Sequence, residues 1–161
     1  MAIKTHLVSD RRSVHYDTFD DLRCDVESLV GGKVRTVGNW SLAQILDHLT
    51  KIMVGSLDGY KSVFPWPMRV VARLLFKKRF LTKGLPPGFK IPSSATDVQP
   101  EDKPIEETLV EFRDVIRRLE QETPQALHPA FGKLTLDEWK QLHLRHAELH
   151  LSFVIPVGNP E

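Results

Sequence analysis

Of the seven histidines in this chain, four stand where their type and spacing can do chemistry. His146 and His150 are one helical turn apart, which lets two imidazoles point at one spot and grip a single cation from two sides. His143 adds two more pairings, three residues before His146 and seven before His150, and spacing alone does not choose among them. Far upstream, His48 lies at the flank of an apolar stripe and so faces a partner helix. One buried imidazole can be satisfied by a carbonyl or a water; three on the core-facing side of one helix call for a shared partner. Three neutral imidazoles leave a divalent ion with its positive charge and an open position, suited to lowering the pKa of water or of a thiol. The run HAELH is not the HExxH of zinc proteases, because Glu148 comes two residues after His146 and falls on the polar side of the helix. His128, in HPAFG, is a candidate proton shuttle or substrate contact, and His143 a second catalytic candidate. Gln44, one turn before His48, is a candidate to orient that ligand. His6 and His15 have no matching partner.

These side chains need elements to hold them. A first helix is expected over about 18–30, ended by Gly31 and Gly32 through the left-handed backbone that glycine tolerates. Ser41 with Gln44 forms a capping box, and Leu42, Ile45, Leu46, Leu49, Ile52, Met53 and Leu57 mark one stripe of a second helix to about 60. After the break at PWP, a helix over 68–80 carries Arg69, Arg73, Lys77, Lys78 and Arg79. These are read as a solvated face beside Met68, Val71, Leu74 and Leu75, in preference to an anion site. From 81 to 103 the chain is rich in Pro, Gly and Ser, a long loop that serves either as a lid or as a plain connection. Pro104 suits the first turn of a helix striped by Ile105, Leu109, Phe112, Ile116 and Leu119, ending near Pro124. Beyond a second loop, HPAFGKL, Thr135 and Glu138 cap a last helix over 136–154. No strand-like alternation of useful length is present. The fold class is all-α: four main helices and one accessory helix, in a single domain over 1–161, with the long loop between the second and third main helices.

Composition narrows the function classes. The formal charge of +1 supplies no global basic field for nucleic acid. The most apolar stretch, VVARLLF, is interrupted by Arg73 and far shorter than the roughly 20 residues needed to span a bilayer, so no membrane partner is expected. The start MAIKTHLVSDRR lacks the apolar run of a secretory signal, and the single Cys24 has no partner for an internal disulfide. Together these point to the cytoplasm. Cys24 lies among Leu22, Val26 and Leu29 and reads as a buried structural thiol. Helix faces leave room for a homodimer.

Two segments carry a family resemblance: NWSLAQILDHL around His48, and HPAFGKLTLDEWKQLHLRHAELHL from His128 to Leu151. With the helix order between them, the chain resembles the DinB/YfiT-like metalloenzyme superfamily, in particular its subgroup domain of unknown function 1569. The resemblance implies a DinB-like four-helix bundle in which one histidine of the second helix and an HxxxH pair of the last bind a divalent metal, usually zinc or nickel. Carried over position by position, it selects His48, His146 and His150 and leaves His143 beside the site. Many relatives end the motif with paired histidines followed by a glutamine, where this chain has Leu149 before His150 and Phe153 after it. The ligands are spared, but contacts made by the missing side chains do not carry over. Relatives that transfer low-molecular-weight thiols, or use them in isomerisation, imply a thiol transferase or hydrolase acting on a small molecule. The alternative is a non-catalytic module whose metal staples two helices. Structural sites usually use four protein ligands, and three are in view.

Overall fold

A computed structural model describes residues 3–88, 93 and 95–158, and part of the long loop expected over 81–103 lies outside them. The described chain is mostly helical, as the stripes require. Helix α1 spans Phe19–Gly31, α2 Leu42–Asp58, α5 Ile105–Gln121 and α6 Leu136–Leu151; between α2 and α5 lie the shorter α3, Trp66–Ala72, and α4, Lys78–Lys83. A π-helical turn, Arg73–Lys77, joins α3 to α4.

Capping boxes start three of the four long helices. Ser41 with Gln44 and Thr135 with Glu138 stand where the sequence placed them, and Thr18 with Asp21 opens α1 in the same reciprocal way. An aspartate in the last position hides the third from the usual Ser/Thr-x-x-Glu/Gln pattern. Helix α1 ends at Gly31, yet the next residue, Gly32, is extended at φ −108°, so the stop needs no left-handed glycine.

The main core draws Leu22, Val26 and Leu29 from α1, Leu46 and Leu49 from α2, Phe112 and Val115 from α5, and Leu144 and Leu151 from α6. Each such side chain contributes roughly 1.5–3 kcal/mol on burial. Helix α2 lies between α5 and α6 and touches both. Cys24 is exposed, not buried. At about 100° per residue it sits some 200° around α1 from Leu22, so neighbours in sequence are not neighbours on the helix.

Two expectations change at the C-terminal end. The last helix stops at Leu151 rather than 154, and Val154–Pro156 forms a strand, β2, antiparallel to β1, Val34–Thr36. The pairing matches Val34 with Pro156 and Thr36 with Val154, and Val37 N–H donates to the Phe153 carbonyl at 2.9 Å. A three-residue strand is too short for a period to show in sequence. It ties the last turn of α6 to the segment that leads into α2.

Within α2, Gly55 is fixed by a close approach. A Cβ there would meet the Tyr60 ring at 2.3–2.9 Å, while that ring is held by a 2.7 Å hydrogen bond from its hydroxyl to the Ile52 carbonyl and stacks on Trp139. Alanine has the better helix propensity by about 1 kcal/mol, but overpacking a well-filled site costs about 1–3 kcal/mol. Gly55→Ala is therefore expected to be net destabilising. A urea midpoint equal to or above that of the wild type would contradict this account of the contact.

Candidate metal centre

The site is assembled by α2 and α6. His48 projects from the second turn of α2; His146 and His150 project from successive turns of α6. One ring nitrogen from each lies within 4.8 Å of the other two, the only such group found among the described residues. The Nε2 atoms of His146 and His150 face each other at 2.9 Å, and the His48 ring meets both edge-on, with centroids 5.2 and 4.9 Å away. Nitrogens bound to one tetrahedral divalent ion at about 2.0–2.1 Å sit roughly 3.3 Å apart, so this cluster fits such an ion with small side-chain adjustments.

The protonation state also fits. Burial pushes the His48 imidazole down to about 4. Burial, reinforced by the neighbouring imidazoles, holds His146 and His150 well below their ordinary value. All three are neutral at pH 7, the form that donates to a metal. His48 is buried, whereas His146 and His150 keep partial contact with solvent, so the cluster is closed from beneath and reachable from one side.

The tautomer of His48 is set by a residue that its sequence spacing could not reveal. Its Nδ1 donates to the Val98 carbonyl at 2.7 Å, across 50 residues, which leaves the unprotonated Nε2 with its lone pair free for a cation. Val98 is buried in a short 3-10 turn, Thr96–Val98, of the long loop, so the described end of that loop closes against the site rather than running free. Asp47 holds this segment. Its buried carboxylate accepts the Glu101 N–H at 2.8 Å and pairs with Lys51 and Lys103 at 2.8 and 3.2 Å. Burial alone would raise the Asp47 pKa, but the hydrogen bonds from Lys51, the Glu101 N–H and Lys103 outweigh it and keep the group below the usual carboxylate range. A charge inside the apolar run ILDHL was the available signal.

Asp47→Ala removes that anchor from beside His48. The expected result is a ten- to hundredfold loss of zinc affinity, the range typical when the partner that orients a ligand is released. Titration calorimetry of the folded variant checks it, and an unchanged affinity would detach Asp47 from the site.

Trp40 forms a wall that was likewise not anticipated. It stacks on His150 at 5.1 Å and 18°, and lies 5.0 Å from His48 in a tilted arrangement. Gln44 is engaged in the capping box, where its side-chain oxygen accepts the Ser41 N–H at 3.0 Å.

His143 and His128 belong to a second layer. His143 is fully buried, stacks on Trp139 at 5.4 Å, and lies 3.0 Å from the Ser56 hydroxyl. Because that hydroxyl donates to the Met53 carbonyl, His143 Nε2 must be the donor to it. His128 Nδ1 accepts the N–H groups of Ala130 and Phe131 at 3.1 and 3.0 Å, closing the HPAFG turn. Burial drives both imidazoles down to about 3. Two surface hollows, of about 390 and 490 Å³, are lined by other residues, one beside α3 and one around Cys24.

A family model described as protein of unknown function (DUF1569) matches residues 8–157. No curated protein and no solved structure matches the chain.

Proposed function

The chain belongs to the family described as protein of unknown function (DUF1569), whose description assigns no activity, and we propose that it is a divalent-metal-dependent enzyme of thiol-transferase or hydrolase type acting on a small molecule. The observation that carries this reading is the convergence of His48, His146 and His150, all neutral, on one partly accessible point. The order of the four long helices and the origin of the donors in the second and last of them support a DinB-like bundle. Zinc fits a set of three imidazoles best, with nickel second.

A cation held there supplies a Lewis acid that eases deprotonation of a thiol or of water at neutral pH. The chain's own residues do the rest. The Val98 carbonyl fixes the His48 ring, Asp47 fixes the Val98 segment, and Trp40 covers one side and narrows the approach. His143 and His128 stay neutral, with nitrogens engaged at Ser56 and in the HPAFG turn, so we assign them to positioning α6 rather than to proton transfer. No negative side chain is among the three donors, which leaves the cation's charge available to an anionic substrate group.

The test is turnover by zinc-loaded protein against panels of low-molecular-weight thiols with an electrophile and of simple esters. Turnover is expected in at least one panel, and it should vanish on chelation and in His146→Ala. Tight metal binding with no turnover in either panel, combined with a marked rise in melting temperature on loading, would favour the helix-stapling reading instead.

A further inference from the structure

The accessory helix points its apolar side outward. Along α3, the π turn and α4, Leu74, Leu75, Met68 and Val71 are 77, 66, 56 and 54% exposed, and Trp66 at the first turn is 69% exposed. The sequence pattern had suggested a solvated basic face beside a packed apolar one; Arg73, Lys78 and Arg79 are exposed as expected, but the apolar residues are exposed with them. Arg73, itself exposed, reaches back to donate to the carbonyls of Phe131 and Lys133 at 3.1 and 2.6 Å, and Lys77 pairs with Glu138. Ala72, Phe80 and Leu81 pack against the cluster of Phe131, Leu134, Trp139 and Leu142. The rod is thus fastened by one side and cannot turn its apolar side in without breaking these contacts.

Charge is segregated in the same place. From residue 61 to residue 96 the sequence holds eight Lys or Arg and no Asp or Glu, while the remaining residues hold 14 basic and 21 acidic side chains. Lys78, Arg79 and Lys83 are exposed alongside the apolar ridge. A helix with a protruding apolar side, basic flanks and an aromatic residue at its end has the make-up of one that lies in the plane of a membrane interface. Its eighteen residues extend over about 27 Å at 1.5 Å each. No helix among the described residues is long and apolar enough to cross a membrane. A symmetric contact between two copies would press one basic segment against another, which like-charge repulsion opposes.

We propose that residues 66–83 dock this protein on an anionic lipid bilayer, with Met68, Val71, Leu74 and Leu75 entering the headgroup and acyl boundary and Lys78, Arg79 and Lys83 meeting lipid phosphates. This changes the expectation of no membrane partner, because exposure, unlike composition, shows where the apolar residues go.

Co-sedimentation with vesicles of phosphatidylcholine alone, or mixed with phosphatidylglycerol, tests it. Binding to the anionic vesicles is expected to be at least about tenfold tighter than to the neutral ones. Each of the double variants Leu74→Glu/Leu75→Glu and Lys78→Glu/Arg79→Glu should weaken it roughly tenfold or more, with circular dichroism unchanged. Equal binding to both vesicle types, or none, would overturn the proposal. So would wild-type binding by Leu74→Glu/Leu75→Glu, which would reduce the contact to charge attraction alone. A dimer in light scattering that the same variant splits would make a second copy the occupant. If that variant misfolds, the vesicle comparison and the charge-reversal pair still decide.

Discussion

Protein purified without a metal-charged resin is expected to carry close to one equivalent of a divalent transition metal, zinc foremost, and His48→Ala, His146→Ala and His150→Ala should each lose it. Each substitution removes one of three converging nitrogens. The loss should exceed the ten- to hundredfold seen when only an orienting partner is removed, so roughly a hundredfold or more in affinity is expected. His143→Ala is the informative control. Its ring lies against Trp139 and Ser56, so the variant should keep full metal stoichiometry even if it is less stable. Elemental analysis of the purified proteins, followed by competition with a chromogenic chelator, measures both quantities. Metal no higher than trace in the wild type after growth in zinc, and none taken up on titration, would remove the basis of the proposed function. Metal lost in His143→Ala but retained in His48→Ala would show that the wrong histidines had been grouped.

Metal-free protein should lose stability steeply as the pH falls from about 7 to 4. The cause is the set of imidazoles kept neutral by burial: His48 titrates at about 4 in the folded chain, and His128 and His143 at about 3. In the unfolded chain each titrates near 6.5. Between these values the unfolded state holds protons that the folded state does not, so the free energy of unfolding falls as pH falls. The full stability is present above about pH 7. Each such imidazole removes about 1.4 kcal/mol per pH unit across its window. Three acting together remove about 4 kcal/mol per unit, against a total of about 5–15 kcal/mol for an ordinary domain. His146 and His150 act in the same direction. Urea melts in the presence of a chelator at pH 7, 6, 5 and 4 would show the midpoint dropping, and His143→Phe should flatten the slope by about one imidazole's share. A midpoint unchanged from pH 7 to 4.5 would contradict the burial of these groups. Zinc should partly restore stability at pH 6, because its ligands are already neutral in the fold and binding favours the folded state.

The histidines show clearly how far spacing can be trusted. On a helical wheel His143 lies only about 20° from His150, so one face accommodates both equally well. Seven residues of rise separate them by roughly 10 Å along the axis, however, and that places His143 a layer away, on Ser56 and Trp139. His146 and His150 share a direction to within about 40° and are one turn apart, so their meeting was legible. Their encounter with His48 depended on which helices pack together, and there the family resemblance supplied the choice that periodicity left open.

Local rules did well where the physics is local. The stripes of α2 and α5 and two of the three capping boxes need only neighbours within four residues, and they appear as expected. Readings that depended on what lies across from a residue fared worse. Cys24 has Leu22 and Val26 beside it in sequence but solvent beside it in space. The apolar residues of the accessory helix form a proper stripe, yet the body of the protein engages the opposite side through Arg73 and Lys77.

The sequence by itself determined the helices, their starts, and the presence of imidazoles at spacings able to share a cation, because periodicity, capping and turn length act over a few residues. The tertiary structure decided the rest. It brought His48 to the HxxxH pair, gave its Nδ1 the Val98 carbonyl across 50 residues, set Trp40 on His150, and turned the ridge at 66–83 outward. Each of these is a contact between segments distant in the chain, fixed by which surfaces bury together, and a side chain's own neighbours in sequence carry no record of it.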